Sequence, residues 1–231
     1  LMSHNNFRFT VNASIIVLVA ALLAYNKPWR FFEIYLASYL RISSPKASTG
    51  SSQLFLRIMG CAELIGLLAF IPLRNRLSLK IILSLCLASF SIGFWIYCST
   101  TDYGLMGIAS LFVGLSHALG SLVLTFASAT IMPDNLGLAS GFANTGAGIG
   151  PALYGMAGQQ IMNPNYSLPE IMVTEGSRTV KYFDQGIAEW FPVYLALVAG
   201  VTLFTSICIL PLLSLQEQKK KKKIALPRKN S

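Results

Sequence analysis

Residues 52–98 read SQLFLRIMGCAELIGLLAFIPLRNRLSLKIILSLCLASFSIGFWIYC. Two apolar runs, 52–73 and 79–98, are separated by a short basic break, Arg74-Asn75-Arg76-Leu77-Ser78. A helix rises about 1.5 Å per residue, so each run covers about 30 Å, the thickness of a bilayer's hydrocarbon core. A membrane-spanning helical hairpin is therefore expected, and the pattern recurs along the chain. Of the 231 residues 54% are hydrophobic and only 12% charged, with a mean hydropathy of +0.58. A soluble domain carries about a quarter charged residues, so this composition excludes most soluble enzymes. The formal charge of +9 sits largely in Lys219 to Lys223, Arg228 and Lys229. Without residues 217–231, eleven basic residues remain against eight acidic ones, so the charge belongs to a tail and does not point to nucleic acid.

Six spans are expected, over residues 10–40, 52–73, 79–98, 104–132, 137–162 and 191–213, giving an all-α polytopic membrane fold. An N-terminal segment covers 1–9, a loop 163–190 and a basic tail 214–231. In the first span, Asn26-Lys27-Pro28-Trp29-Arg30 interrupts the apolar run. Either one long helix kinks at Pro28, the preferred reading, or the span ends at Asn26 and 29–40 lies along the interface. Arg74, Arg76 and Lys80 fall on the same side as the lysine tail, which makes that side, and both termini, cytoplasmic. Loop 163–190, carrying Glu170, Glu175, Asp184 and the sequon Asn165-Tyr166-Ser167, is then non-cytoplasmic. No cleavable signal peptide is expected. Residue 1 is leucine, so either Met2 starts the chain or the sequence is the downstream piece of a longer one.

Ionisable groups inside spans cost about 2.5–3.5 kcal/mol on insertion scales, so each requires a partner or a function. Glu63 lies mid-span, with Arg57 about 120° away around the same helix. Glu63 reads either as a proton-coupling carboxylate or as half of an ion pair with arginine or lysine on another helix. His117, Ser121, Thr125 and Ser128 share one helical face. That stripe lines a wet cavity or serves interhelical hydrogen bonding, and His117 is either a proton relay or a packing residue. Asn26, Lys27 and Arg30 could meet an anionic substrate group, or could snorkel to the interface. Asn144 could bind substrate or a neighbouring backbone. The four cysteines form no CxxC pair, and no nucleophile triad, metal-ligand cluster or phosphate loop is present. Neither a metal, a cofactor nor covalent chemistry is expected.

The fifth span carries Gly137, then Gly146, Gly150-Pro151 and Tyr154-Gly155. Glycines at these intervals let helices approach closely, and the proline gives the helix a pivot. The pattern resembles the antiporter motif of the major facilitator superfamily, G-x8-G-x3-G-P-x2-G-G, departing only at Tyr154. The break between spans two and three is similar to that family's signature loop. Arg76 and Lys80 match it, whereas Asn75 and Ser78 stand where the family has aspartate and glycine. Such a degenerate loop is more usual in the second half of these transporters, where its basic residues hold a cytoplasmic gate closed.

The resemblance implies the C-terminal six-helix half of a twelve-span transporter, working by alternating access around a central cavity. It implies secondary active transport of a small organic solute, with a tilt towards proton coupling. The partners implied are the lipid bilayer, a small-molecule substrate, and either an N-terminal six-helix half of the same longer chain or a second copy. The rival reading is a non-transporting six-helix subunit of a larger membrane assembly. A transporter predicts Glu63, His117 or Asn144 facing a wet cavity, whereas a subunit predicts them sealed by internal pairs. A channel is disfavoured, because no ring-forming charged pore motif stands out. The lysine run Lys219 to Lys223 reads as a topology anchor rather than a lipid site.

Overall fold

The computed structural model describes residues 28–43, 49–131, 136–164, 167–183 and 186–225. Six helices and one hairpin are found among them. The helices are α1 (Pro28–Ser43), α2 (Thr49–Arg76), α3 (Leu79–Ser99), α4 (Tyr103–Ile131), α5 (Leu136–Met162) and α6 (Gly186–Ala225). Strands β1 (Glu170–Glu175) and β2 (Arg178–Phe183) stand between α5 and α6. Among the described residues four segments are long and apolar enough to cross a bilayer: Gly50–Arg76, Leu79–Ser99, Tyr103–Val123 and Ile187–Ile207. Their outward faces carry Leu64, Leu68, Ile71, Leu85, Trp95 and Phe204, all exposed. That is the surface a lipid-embedded protein presents, since lipid tails solvate leucine as well as a protein interior does. Residues 10–27, most of the expected first span, lie outside the described residues.

Local chemistry sets the helix ends. Asp102 caps α4, its Oδ1 accepting the amide of Leu105 at 2.9 Å, while its own carbonyl accepts the amide of Met106 at 2.9 Å. The break between α2 and α3 shrinks to Leu77 and Ser78, and the Leu77 amide closes onto the Leu73 carbonyl at 2.8 Å. Arg74 and Arg76 occupy the last turn of α2, where positive charge complements the helix dipole. The expected gate loop is thus two helix ends: Asn75 and Arg76 finish α2, and Lys80 opens α3.

Helix α4 is the hub, with α2 packed along one side and α3 along another. Gly66 and Gly114 allow α2 and α4 to touch backbone to backbone. A Cβ on Gly114 would fall 2.2 Å from the Met59 carbonyl oxygen, and one on Gly66 would fall 2.6 Å from that of Leu115. Helices α3 and α6 run antiparallel, joined by buried serines. Ser91 Oγ donates to the Ala199 carbonyl at 2.6 Å and Ser206 Oγ to that of Ser84 at 2.9 Å. Tyr97 and Ser110 bond at 2.5 Å between α3 and α4. An aromatic core at one end gathers Tyr39, Phe55, Phe90, Phe94 and Phe191, and a smaller aliphatic cluster lies near the α2–α3 turn.

Two expectations are corrected here. The 163–190 segment is not a plain loop, because residues 170–183 pair as an antiparallel hairpin in register Glu170↔Phe183 to Glu175↔Arg178. Gly176, with φ +61, makes the turn in a conformation that favours glycine. The signal was legible: β-branched and aromatic residues in Ile171-Met172-Val173-Thr174 and Thr179-Val180-Lys181-Tyr182-Phe183 flank a glycine turn. The last helix is also longer than 191–213, starting at Gly186 and continuing through the lysine run to Ala225. Straight-chain lysines are good helix formers, so charge ends the apolar run without ending the helix.

The hairpin is fastened to α1. Ser38 Oγ accepts the Phe183 amide at 3.1 Å, and the Tyr35 ring lies 5.0 Å from that of Phe183. Arg41 donates to Glu175 at 3.4 Å and sits 4.9 Å above the Tyr182 ring, while the Tyr182 hydroxyl donates to the same carboxylate. Burial, then the hydrogen bond from Tyr182 to Glu175 and the negative charge it meets there, raises the Tyr182 hydroxyl above its usual value of 10.0. Tyr35 of α1 also donates to Gln159 of α5 at 3.2 Å, and just past α5 Asn163 Oδ1 accepts the Leu168 amide at 2.8 Å.

Candidate functional site

Helices α2 and α4 run side by side, with Met59, Ala62 and Gly66 of α2 meeting Gly114 and Leu115 of α4. In the middle of that contact the two ionisable residues singled out from the sequence meet each other. His117 Nδ1 lies 2.9 Å from Glu63 Oε1, with side-chain exposures of 13% for His117 and 31% for Glu63. The sequence reading considered an arginine or lysine as the partner of Glu63. The partner is the histidine, and Arg57 lies on the exposed part of α2. The glycines set the distance: with side chains at 66 and 114, the helices would stand too far apart for a direct bond.

A carboxylate and an imidazole at this distance are groups able to share a proton. With its proton on Nδ1, a neutral imidazole donates to the carboxylate. A second proton on Nε2 converts that hydrogen bond into an ion pair without moving a heavy atom. The partial exposure of Glu63 leaves one edge of the carboxylate reachable.

The rest of the expected polar stripe is of another kind. The Ser121 hydroxyl donates to the Ala118 carbonyl at 2.9 Å and Thr125 to that of Ser121 at 3.0 Å, so both turn back on their own helix. Both residues are exposed, and neither of these bonds is interhelical, one of the two readings of the stripe. Asn26 and Lys27 lie outside the described residues. So do the side chains of Arg30 on α1, Ser128 on α4, and Asn144 and Gly146 on α5.

The glycine motif behaves differently from its expected role. Among the described residues, a Cβ at Gly137, Gly141, Gly148 or Gly155 would meet nothing within 4 Å, so none of the described helices is held close at these glycines. At 100° per residue the four fall within about 40° of one another, a single open stripe of small residues along α5. Gly150 is buried, Pro151 lies inside the helix, and Tyr154, the departure from the motif, belongs to the core. The close approaches are made at Gly66, Gly93 and Gly114, which no motif marked.

No protein-family model matches this chain, and no curated protein matches it in sequence.

Proposed function

We propose that this chain is a six-helix unit of a proton-coupled secondary transporter for a small organic solute. The observation that carries the reading is the Glu63–His117 pair, a carboxylate and an imidazole in contact between two bilayer-length helices. Ionisable groups at membrane depth are costly, and a partly reachable pair is the form in which a proton-coupling site tolerates that cost. The resemblance of Gly137 to Gly155 to the antiporter motif adds the major-facilitator-type architecture, with both termini cytoplasmic. In that architecture a second six-helix unit faces this one across the cavity, supplied by an N-terminal half or by a second copy. Among the described residues nothing packs on the small-residue stripe of α5, which supports this, since glycines are where another helix can come close.

One observation favours the alternative, a non-transporting subunit: Glu63 and His117 satisfy one another within the bundle. The experiment is proton flux in proteoliposomes carrying a pH-sensitive dye inside, challenged with panels of small organic anions, cations and zwitterions. Glu63→Gln retains a hydrogen-bonding side chain of nearly the same shape but removes the ionisable group. Transport predicts solute-dependent proton movement that E63Q abolishes while the fold survives. A subunit predicts no solute-dependent proton movement in the parent protein and a change only in stability in the variant.

A further inference from the structure

Helices α2 and α3 are joined by a two-residue turn, yet they touch sparsely because each packs on α4 instead. They therefore splay, leaving an apolar crevice of about 250 Å³ that α4 floors. Gly66 and Ala69 form one wall and Leu85 and Ser89 the other, with Leu115 and Leu119 beneath. Small residues on α2 keep it open, and its floor and walls are almost wholly apolar. It runs from Leu77 at the turn to Gly66, eleven residues along the helix or about 16 Å. That is one leaflet's share of a hydrocarbon core about 30 Å thick.

The mouth of the crevice has the opposite chemistry. Arg74 and Arg76 end α2 and Lys80 begins α3, so three cationic residues ring the turn directly below Leu77. Arg74 and Arg76 are both exposed there, and no aspartate or glutamate occurs between Glu63 and Asp102 in the sequence. An apolar slot one leaflet deep, opening onto a basic ring, has the dimensions and charge of a single anionic phospholipid.

We propose that this crevice binds one anionic phospholipid, an acyl chain lying between α2 and α3 and the phosphate meeting the basic turn. A bound chain wedges the two helices apart, and its headgroup links their ends. The site stands apart from Glu63 and His117, and it requires only that the chain be in a membrane.

The test uses the full chain in vesicles of phosphatidylcholine with a minor fraction of phosphatidylglycerol. Lipid retained per protein is read by native mass spectrometry. One phosphatidylglycerol is expected to stay bound in preference to phosphatidylcholine. A basic residue near such a headgroup strengthens binding about five-fold, so R74Q/R76Q together should weaken retention about thirty-fold. Ala69→Leu and Ser89→Leu fill the slot from opposite walls and should each abolish retention while circular dichroism stays helical. Should a filled variant misfold, Leu85→Trp gives a second reading. Its added fluorescence should be quenched more by chain-brominated phosphatidylglycerol than by the matching phosphatidylcholine. Equal retention of the two lipids, or equal quenching, overturns the proposal. So does retention that the charge variants lower but both folded fillers leave intact, which would mean surface attraction alone. A filler that turns a dimer into a monomer would identify the occupant as a second copy, and would also overturn it.

Discussion

Gly114→Ala is the sharpest test of how the α2–α4 contact builds the site. The added Cβ would lie 2.2 Å from the Met59 carbonyl oxygen and 2.8 Å from the Ala62 Cβ, where contacts under 3.0 Å do not persist. Neither neighbour can swing aside, one being backbone and the other a lone methyl. Helix α2 must withdraw by at least 0.8 Å, the difference between 2.2 Å and 3.0 Å. Glu63 follows Ala62 directly and His117 lies one turn beyond Gly114, so the withdrawal acts at their 2.9 Å bond. That bond then exceeds the roughly 3.2 Å limit of a good hydrogen bond. Overpacking costs about 1–3 kcal/mol, and a lost interhelical bond adds about 0.6 kcal/mol. Unfolding by sodium dodecyl sulfate in mixed micelles measures the sum. Gly60→Ala is the control: it stands on the same α2, its Cβ would meet nothing within 4 Å, and alanine's better helix propensity makes it neutral or stabilising. If Gly114→Ala unfolds at the same detergent fraction as Gly60→Ala, the backbone contact does not set the helix spacing and the reasoning fails.

A double-mutant cycle of Glu63→Ala and His117→Ala should give a coupling of about 0.6–1.7 kcal/mol, measured in the same unfolding assay; additive effects would mean the pair contributes nothing. Ser206→Ala removes the buried bond from α6 to the Ser84 carbonyl and should cost about 0.6 kcal/mol, whereas Ser99→Ala, an exposed hydroxyl bonded within its own helix, should change stability negligibly. The docked hairpin should loosen in alkali. The folded Tyr182 hydroxyl titrates above its usual 10.0, so its contribution is intact below that value and is lost as pH rises through the higher folded one. Amide exchange over residues 170–183, corrected for its intrinsic pH dependence, should accelerate there in the parent protein, and Tyr182→Phe should remove the step.

Much of the helical layout was legible in residues 52–162, because each run's length and hydropathy are local quantities. The expected runs 52–73, 79–98, 104–132 and 137–162 fall within three residues of the helix bounds of α2 to α5 at every end. The chain's candidates for chemistry were legible too, since Glu63 and His117 stand out by their cost in an apolar setting. Their pairing was not, because it spans 54 positions and depends on how two helices are rotated. The glycine motif shows the same limit from the other side. Spacing along α5 suggested close packing, but among the described residues nothing meets Gly137 or Gly155, while unmarked Gly66 and Gly114 do pack closely. The hairpin's composition signal is confined to six residues per strand, inside a segment whose polarity suits a loop.

By itself, then, the sequence determined that this chain is made of helices suited to a bilayer. An apolar run must satisfy its backbone hydrogen bonds internally where no water reaches, and a helix does so with no help from its neighbours. Only the tertiary structure decided which faces meet: the α2–α4 contact, the Glu63–His117 pair, the crevice beneath α2 and α3, and the hairpin held by Ser38 and Arg41. Lipid and protein neighbours are equally apolar, so hydropathy does not distinguish a buried helix face from a lipid-facing one. That choice falls to shape and to a few polar contacts, which exist only once the helices are assembled.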